Sequence, residues 1–115
     1  MNKQRRMSLN RILDEIARLR NPIDKDEAVK ILQASADDVE KCMDEEQDAL
    51  DARPESLRWS AVNDDMGENI SDLTDAACEL ENLAEECKMS GKYDYESIKR
   101  PVIKIVNLIK QVIHR

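Results

Sequence analysis

Apolar residues recur at steps of three and four along most of the chain, the spacing of one face of an α-helix. The first such stretch covers residues 3–19, with Leu9, Ile12, Ile16 and Leu19 on one stripe and Leu13 beside it. Asn21-Pro22 closes it, because a proline ring disfavours helical geometry in the residue before it. Asp24 then suits an N-cap, and Glu27, three residues on, is placed to reach back to its amide. The second stretch covers residues 25–52 on a stripe of Val29, Leu32, Ala36, Val39, Met43 and Leu50, broken only by a gap at Glu46-Gln47.

Pro54 and Glu55-Ser56-Leu57 interrupt the pattern, and Ser60 is the expected N-cap of a third helix over residues 60–89. Its stripe is Val62, Met66, Ile70, Leu73, Ala77, Leu80, Ala84 and Cys87, a coiled-coil-like alternation. Asp64 and Asp65 fall near its positive N-terminal dipole. Gly91 suits a left-handed residue closing that helix. The last stretch, residues 101–114, uses Val102, Ile105, Val106, Ile109, Val112 and Ile113, with Pro101 expected in the first turn, where its missing amide costs nothing. A start near Tyr95 would put Pro101 inside the helix and kink it. β-branched residues make a strand the competitor here, but the three-to-four spacing favours helix.

The expected fold is therefore all-α, one domain over residues 1–115. At ~1.5 Å per residue, the second and third helices span roughly 42–45 Å and the outer two about 21–26 Å. The long pair predicts an antiparallel hairpin with its tip at residues 54–59. The short helices fit end to end along its groove. Side by side, they would cover half of it and leave apolar surface for a second subunit, a possible homodimer.

Composition narrows the class. The chain has 115 residues, three large rings (Trp59, Tyr93, Tyr95), two glycines and three prolines, too few turn residues for a many-stranded sheet. No apolar run approaches the ~20 residues that cross a bilayer. No apolar stretch follows the basic N-terminal residues, so no signal peptide is expected. Three irregularly spaced cysteines make no disulfide framework and favour a reducing cytoplasm. The net charge of −7 hides a sharp pattern: +4 over residues 1–20, −16 over 24–87 and +5 over 88–115. The chain is basic, then acidic, then basic.

Charge also supplies the candidate chemistry. Asp44, Glu45, Glu46 and Asp48 on the second helix are expected to face Glu68, Asp72 or Asp75 on the third. Facing carboxylates of this kind hold Mg²⁺ or Mn²⁺ in helical nucleotide pyrophosphohydrolases. The usual EExxE and ExxD pair is incomplete here, since Ala49 follows Glu45-Glu46 and Ser71 follows Glu68. A solvated acidic face is the simpler expectation. A di-iron bundle needs Glu-x-x-His pairs, and His114 is the only histidine. That count also leaves no histidine-based triad. The glycines, at Met66-Gly67 and Ser90-Gly91, make no phosphate loop. Cys42, Cys78 and Cys87 read as small hydrophobes. No cofactor, metal or catalytic residue is expected.

The basic ends, with Lys3, Arg5, Arg6 and Arg11 and then Lys99, Arg100, Lys104, Lys110 and Arg115, have an acidic hairpin to pair with. A pI near 4.8 also argues against direct nucleic-acid binding. The inverse is open: a rod bearing 21 carboxylates over residues 24–87 could occupy the basic groove of a nuclease in place of DNA. Arg58 and Trp59, at the expected tip, are of the types enriched in binding hot spots; the other reading of Trp59 seals the bundle end against Leu50, Leu57 or Val62. The candidate partner-binding residues are thus Arg58, Trp59, Asp44, Glu45, Asp48, Asp64, Asp65 and Glu68.

Several strings carry a resemblance. Met1-Asn2-Lys3-Gln4-Arg5-Arg6, Glu45-Glu46-Gln47-Asp48-Ala49, Asp51-Ala52-Arg53-Pro54-Glu55-Ser56-Leu57 and Met66-Gly67-Glu68-Asn69-Ile70 occur in that order. The sequence resembles a family of small acidic helical-hairpin proteins encoded by phages and integrated elements of Gram-positive bacteria, whose pattern reads approximately EEQ-x-A, PESL, an SERGE-like segment and M-x-ENI. Here Ser60-Ala61-Val62-Asn63-Asp64 replaces the SERGE-like segment, and residues around 21–40 and after about 88 are additional, so the likeness covers about half the chain. Its motifs are helix and turn signals. It implies a hairpin and a mobile-element setting, and it brings no functional residues with it.

Together these readings describe a non-enzymatic, cytoplasmic helical protein that binds another protein, with an anti-defence inhibitor (anti-CRISPR or anti-restriction) as the sharp version. A homo-oligomeric helical adaptor is the alternative. A metal-dependent nucleotide hydrolase using Glu45, Glu46, Glu68 and Asp72 is the opposing class. No membrane and no direct nucleic acid are expected among its partners.

Overall fold

Each helix begins where a short polar side chain caps it. In the computed structural model, which describes residues 1–57 and 60–115, Asn2 accepts from the Arg5 amide, Asp24 from Glu27, Ser60 from Asn63 and Asp94 from Glu96. These caps satisfy amides that the first turn leaves without partners. Among the described residues there are four α-helices and no strand: α1 (Lys3–Ala17), α2 (Lys25–Asp51), α3 (Ala61–Met89) and α4 (Tyr95–His114). Short 3-10 turns follow α1 at Arg18–Arg20 and precede α3 at Glu55–Leu57.

Three local expectations are corrected. The Glu27 side chain does not return to the Asp24 amide; it accepts from Arg18 at 2.8 Å, a charge-assisted bond that the capping box cannot match. Gly91 is not left-handed, since no described residue has positive φ. Instead α3 stops at extended Ser90, whose amide donates to the Glu86 and Cys87 carbonyls. Finally, α4 starts six residues earlier than expected. Asp94 caps it, and Pro101 lies inside the helix rather than in its first turn.

The reason α4 tolerates Pro101 is burial. Ile98, Val102, Ile105, Ile109, Val112 and Ile113 are all buried, at about 1.5–3 kcal/mol each. That outweighs both the ~3 kcal/mol of an interior proline and the few tenths lost per β-branched residue in a helix. The early start adds Ile98 to the buried set.

Neighbouring helices run antiparallel. Lys25 reaches the carbonyls of Lys88 and Ser90 while Glu46 meets Asn69, which orients α2 against α3. Arg18 pairs with Glu27 and Arg5 with Glu46, orienting α1 against α2. Lys104 pairs with Glu79 and Arg115 with Asp72, orienting α4 against α3. Leu13 and Ala17 share a groove with Val102 and Val106, so α1 and α4 lie side by side, not end to end. The result is an up-and-down four-helix bundle, and the C-terminal helix covers its own chain.

Both short helices cover the same stretch of α2 and α3. One continuous core of Leu, Ile, Val, Ala and Cys runs from Leu19 and Leu83 up to Cys42 and Leu73. Beyond the level of Glu46 and Asn69, α2 and α3 continue without α1 or α4. The molecule is accordingly elongated, 54 × 22 × 19 Å, with a radius of gyration of 15.3 Å against about 13 Å for a compact domain of this length. No helix among the described residues is long and apolar enough to cross a membrane.

Candidate functional site

The gap in the second stripe is filled by a carboxylate. Glu46 is fully buried and Asn69 is 2 % exposed, and both fall where the helical spacing of α2 and α3 demands an inward residue. The Asn69 amide donates to Glu46 Oε2 at 2.8 Å. From α1, the Arg5 guanidinium brings Nη2 within 3.1 Å of Glu46 Oε1, a charge contact without hydrogen-bond alignment. Beyond the end of α4, Arg115 donates to Asn69 Oδ1 at 2.9 Å and to Asp72 at 2.7 Å, with Glu68 at 3.3 Å. Every helix contributes to this one layer. It closes the apolar core at the point where α1 begins and α4 ends, satisfying most of the buried polar atoms it introduces.

Charge is distributed in two layers. Residues 1–20 carry +4 and residues 95–115 a further +4, and the fold lays these two segments together as the α1–α4 layer. Residues 24–89, which form the α2–α3 layer, carry −15. The pattern along the chain thus becomes a pattern across the bundle. Arg5, Arg18, Lys104 and Arg115 bridge the layers. Compensation is partial: Lys3, Arg6, Arg11, Arg20, Lys99, Arg100 and Lys110 make no ion pair among the described residues, and most carboxylates of α2 and α3 stay exposed.

The candidate residues do not converge on one site. Asp44, Glu45 and Asp48 are exposed on α2; Glu45 and Asp48 line a groove toward α1 with Arg5, Ser8, Arg11 and Lys41. Glu68 lies on the other side, against Arg115. Asp64 borders a cleft at the end of the hairpin with Leu50, Arg53, Glu55 and Asn63, and Asp65 is exposed. Arg58 and Trp59 lie outside the described residues.

This arrangement corrects the metal reading. Glu46 is held by Arg5 and Asn69, Asp72 and Glu68 by Arg115, and Glu45 turns toward α1, so the four carboxylates proposed for a divalent ion do not meet. Among the described residues no group of three or more His, Cys, Asp or Glu side chains is placed to hold a metal. Cys42 and Cys87 are buried packing groups, whereas Cys78 is exposed on α3, which corrects its reading as a small core hydrophobe. Burial first, then the charges of Glu45 and Asp38, pushes Cys42 up to about 11; burial and Glu86 raise Cys87 as well.

Sequence reasoning counted Glu46 among the acidic cluster and passed over Asn69. The signal was the step itself: Val39, Met43, residue 46 and Leu50 keep the alternation only if Glu46 is inside. No protein-family model, no curated protein and no solved structure matches the chain.

Proposed function

We propose that this chain is a non-enzymatic interaction protein of phage or mobile-element origin, acting in the host cytoplasm, whose acidic α2–α3 layer binds a basic nucleic-acid-binding protein. The target class is a nuclease of a restriction or CRISPR system, and the action is competition for its DNA groove. The observation that carries this reading is the two-layer charge separation. Duplex DNA presents about one negative charge per 1.7 Å of axis, or roughly 25 over the ~43 Å length of α3. Over residues 24–87 the hairpin carries 21 carboxylates and five basic side chains, a net −16, which is about two thirds of that charge on a rigid rod. Such a field steers association with a basic groove and weakens as salt screens it.

The mechanism needs no bond-making step. The buried Glu46–Asn69 pair holds α2 and α3 in one register, and the register fixes the spacing of the outward carboxylates. The test is inhibition of DNA cleavage by purified restriction and CRISPR nucleases, repeated with Asp44, Glu45 and Asp48 changed together to amides, and Asp64, Asp65 and Glu68 likewise. Inhibition that disappears in both sets supports mimicry; inhibition untouched by either refutes it.

A homo-oligomeric adaptor is the second reading, favoured by Met7 and Ile103, which are 54 % and 45 % exposed on α1 and α4. Light scattering separates the two, since the monomer mass is 13.2 kDa.

A further inference from the structure

Above the layer of Arg5, Glu46, Asn69 and Arg115, the inward stripe of the hairpin continues, but among the described residues the cover given by α1 and α4 stops. On α3 it runs on through Met66 to Val62, one turn apart on the same face, and on α2 through Leu50. Met66 is 7 % exposed yet lies outside the continuous core of the bundle; Leu50 is half-buried, and Val62 and Leu57 are open. From Asn69 to the first turn of α3 this bare stretch is ~12 Å long.

Below the layer, the same groove is filled by two helices of one chemistry. α1 and α4 are both basic and amphipathic; each lays an aliphatic stripe between α2 and α3, and an arginine at or beside its end is tied to hairpin carboxylates, Arg5 to Glu46 and Arg115 to Asp72. The bare stretch keeps that chemistry. Among the described residues, Asp51, Glu55 and Asp64 border it beside a single cation, Arg53, Asp65 is exposed nearby on α3, and these four carboxylates make no ion pair. A second copy's hairpin end is the wrong occupant, because residues 47–68 carry −4 in every copy and like charges would face each other.

We propose that the overhang of α2 and α3 is a docking groove for a basic amphipathic helix of a partner protein, which would extend the groove's occupation by α1 and α4. The mode is a helix laid in an apolar groove, with Leu50, Leu57 and Val62 as its floor and rim and the carboxylates meeting its Lys and Arg. This names the contact surface within the acidic-layer reading above and rests on it.

The probe is a short amphipathic Leu/Lys helical peptide, titrated into the full chain by calorimetry at about 0.15 M ionic strength, near the physiological value. Val62→Asp and Leu57→Ser, both at exposed positions, should each weaken binding about tenfold, as loss of an apolar anchor does, with helicity by circular dichroism unchanged. Changing Asp51, Asp64 and Asp65 to Asn should do the same, whereas Asp37, Asp38 and Asp75 changed to Asn should leave affinity within about twofold, since screening confines charge effects to about 8–10 Å. If the remote set abolishes binding and the overhang variants do not, the groove assignment fails while the acidic-layer reading stands. No binding by any form overturns both. Self-association at micromolar concentration, lost in Val62→Asp, would make the occupant a second copy and overturn the assignment.

Discussion

Asn69 donates its side-chain amide to Glu46 across the centre of the bundle, and each of these two residues is also held by an arginine from a different outer helix or its end. The pair therefore fixes the register of all four helices. A one-turn slip of α2 against α3 would leave a carboxylate and an amide buried among aliphatic side chains, which costs several kcal/mol. Their role is specificity of packing, as for buried polar residues that set register in coiled coils.

That role can be measured. Glu46→Ala leaves Arg5 and Asn69 facing an apolar void, and is expected to destabilise the fold by about 3 kcal/mol. Arg5→Met with Glu46→Leu removes both charges and fills the space, leaving only the neutral Asn69 amide without its acceptor. The double variant should recover most of the loss in urea unfolding, because a buried pair contributes little against well-packed apolar residues. If the double variant is as unstable as the single, the pair carries net stability of its own.

Pro101 sits six residues past the start of α4, so the Ser97 carbonyl lacks the amide that would normally bond it there. Pro101→Ala restores that donor at a half-buried site. The expected effect is stabilisation of about 1–2 kcal/mol, less than the full helix-interior penalty because the surroundings are adapted to the ring. Thermal unfolding followed by circular dichroism reads it, and a lowered midpoint would mean that the proline ring packs better than alanine.

The helical stripes were legible because burial follows a fixed angular step: Leu9, Ile12, Ile16 and Leu19 are all buried, as are Leu73, Ala77, Leu80 and Ala84. Val62 belongs to the same pattern yet is half exposed, because α1 and α4 do not reach the part of the hairpin where it lies. Periodicity states which face is apolar and is silent on what covers it. The start of α4 was hidden because Pro101 mimics a first-turn proline, whereas the true cap, Asp94, precedes a polar turn. Which carboxylates face α1 and which face Arg115 depends on how two distant segments settle side by side, and no local signal carries that. The acidic layer was readable as charge; its partition into two sides was not.

The three cysteines should differ sharply in reactivity. Cys78 is exposed, whereas Cys42 and Cys87 are buried. Raising Cys42 from an ordinary 9.0 to about 11 leaves roughly a hundredfold less thiolate at neutral pH. Reaction of the native chain with a chromogenic disulfide should show one fast thiol, absent in Cys78→Ser, and two that react only on unfolding. Three equal rates would place Cys42 and Cys87 in contact with solvent.

Tyr93 gives the fold an alkaline limit. Its hydroxyl donates to the Leu19 carbonyl, tying the connection before α4 to the 3-10 turn that follows α1. Burial first, then the charges of neighbouring Cys87, Tyr95 and Asp94, pushes the phenol from 10.0 up to about 12. A phenolate cannot donate that bond. The folded state therefore holds this proton more tightly than the unfolded state, so the stability it contributes is complete below about pH 10 and is lost as pH rises toward about 12. Tyr93→Phe should cost about 1 kcal/mol at neutral pH through the lost hydrogen bond, and its stability should fall less steeply than wild type between those two values. Urea unfolding at a series of alkaline pH values, alongside ultraviolet titration of the phenols, makes the comparison. Parallel curves for the two proteins would show that Tyr93 is not the group that sets the limit.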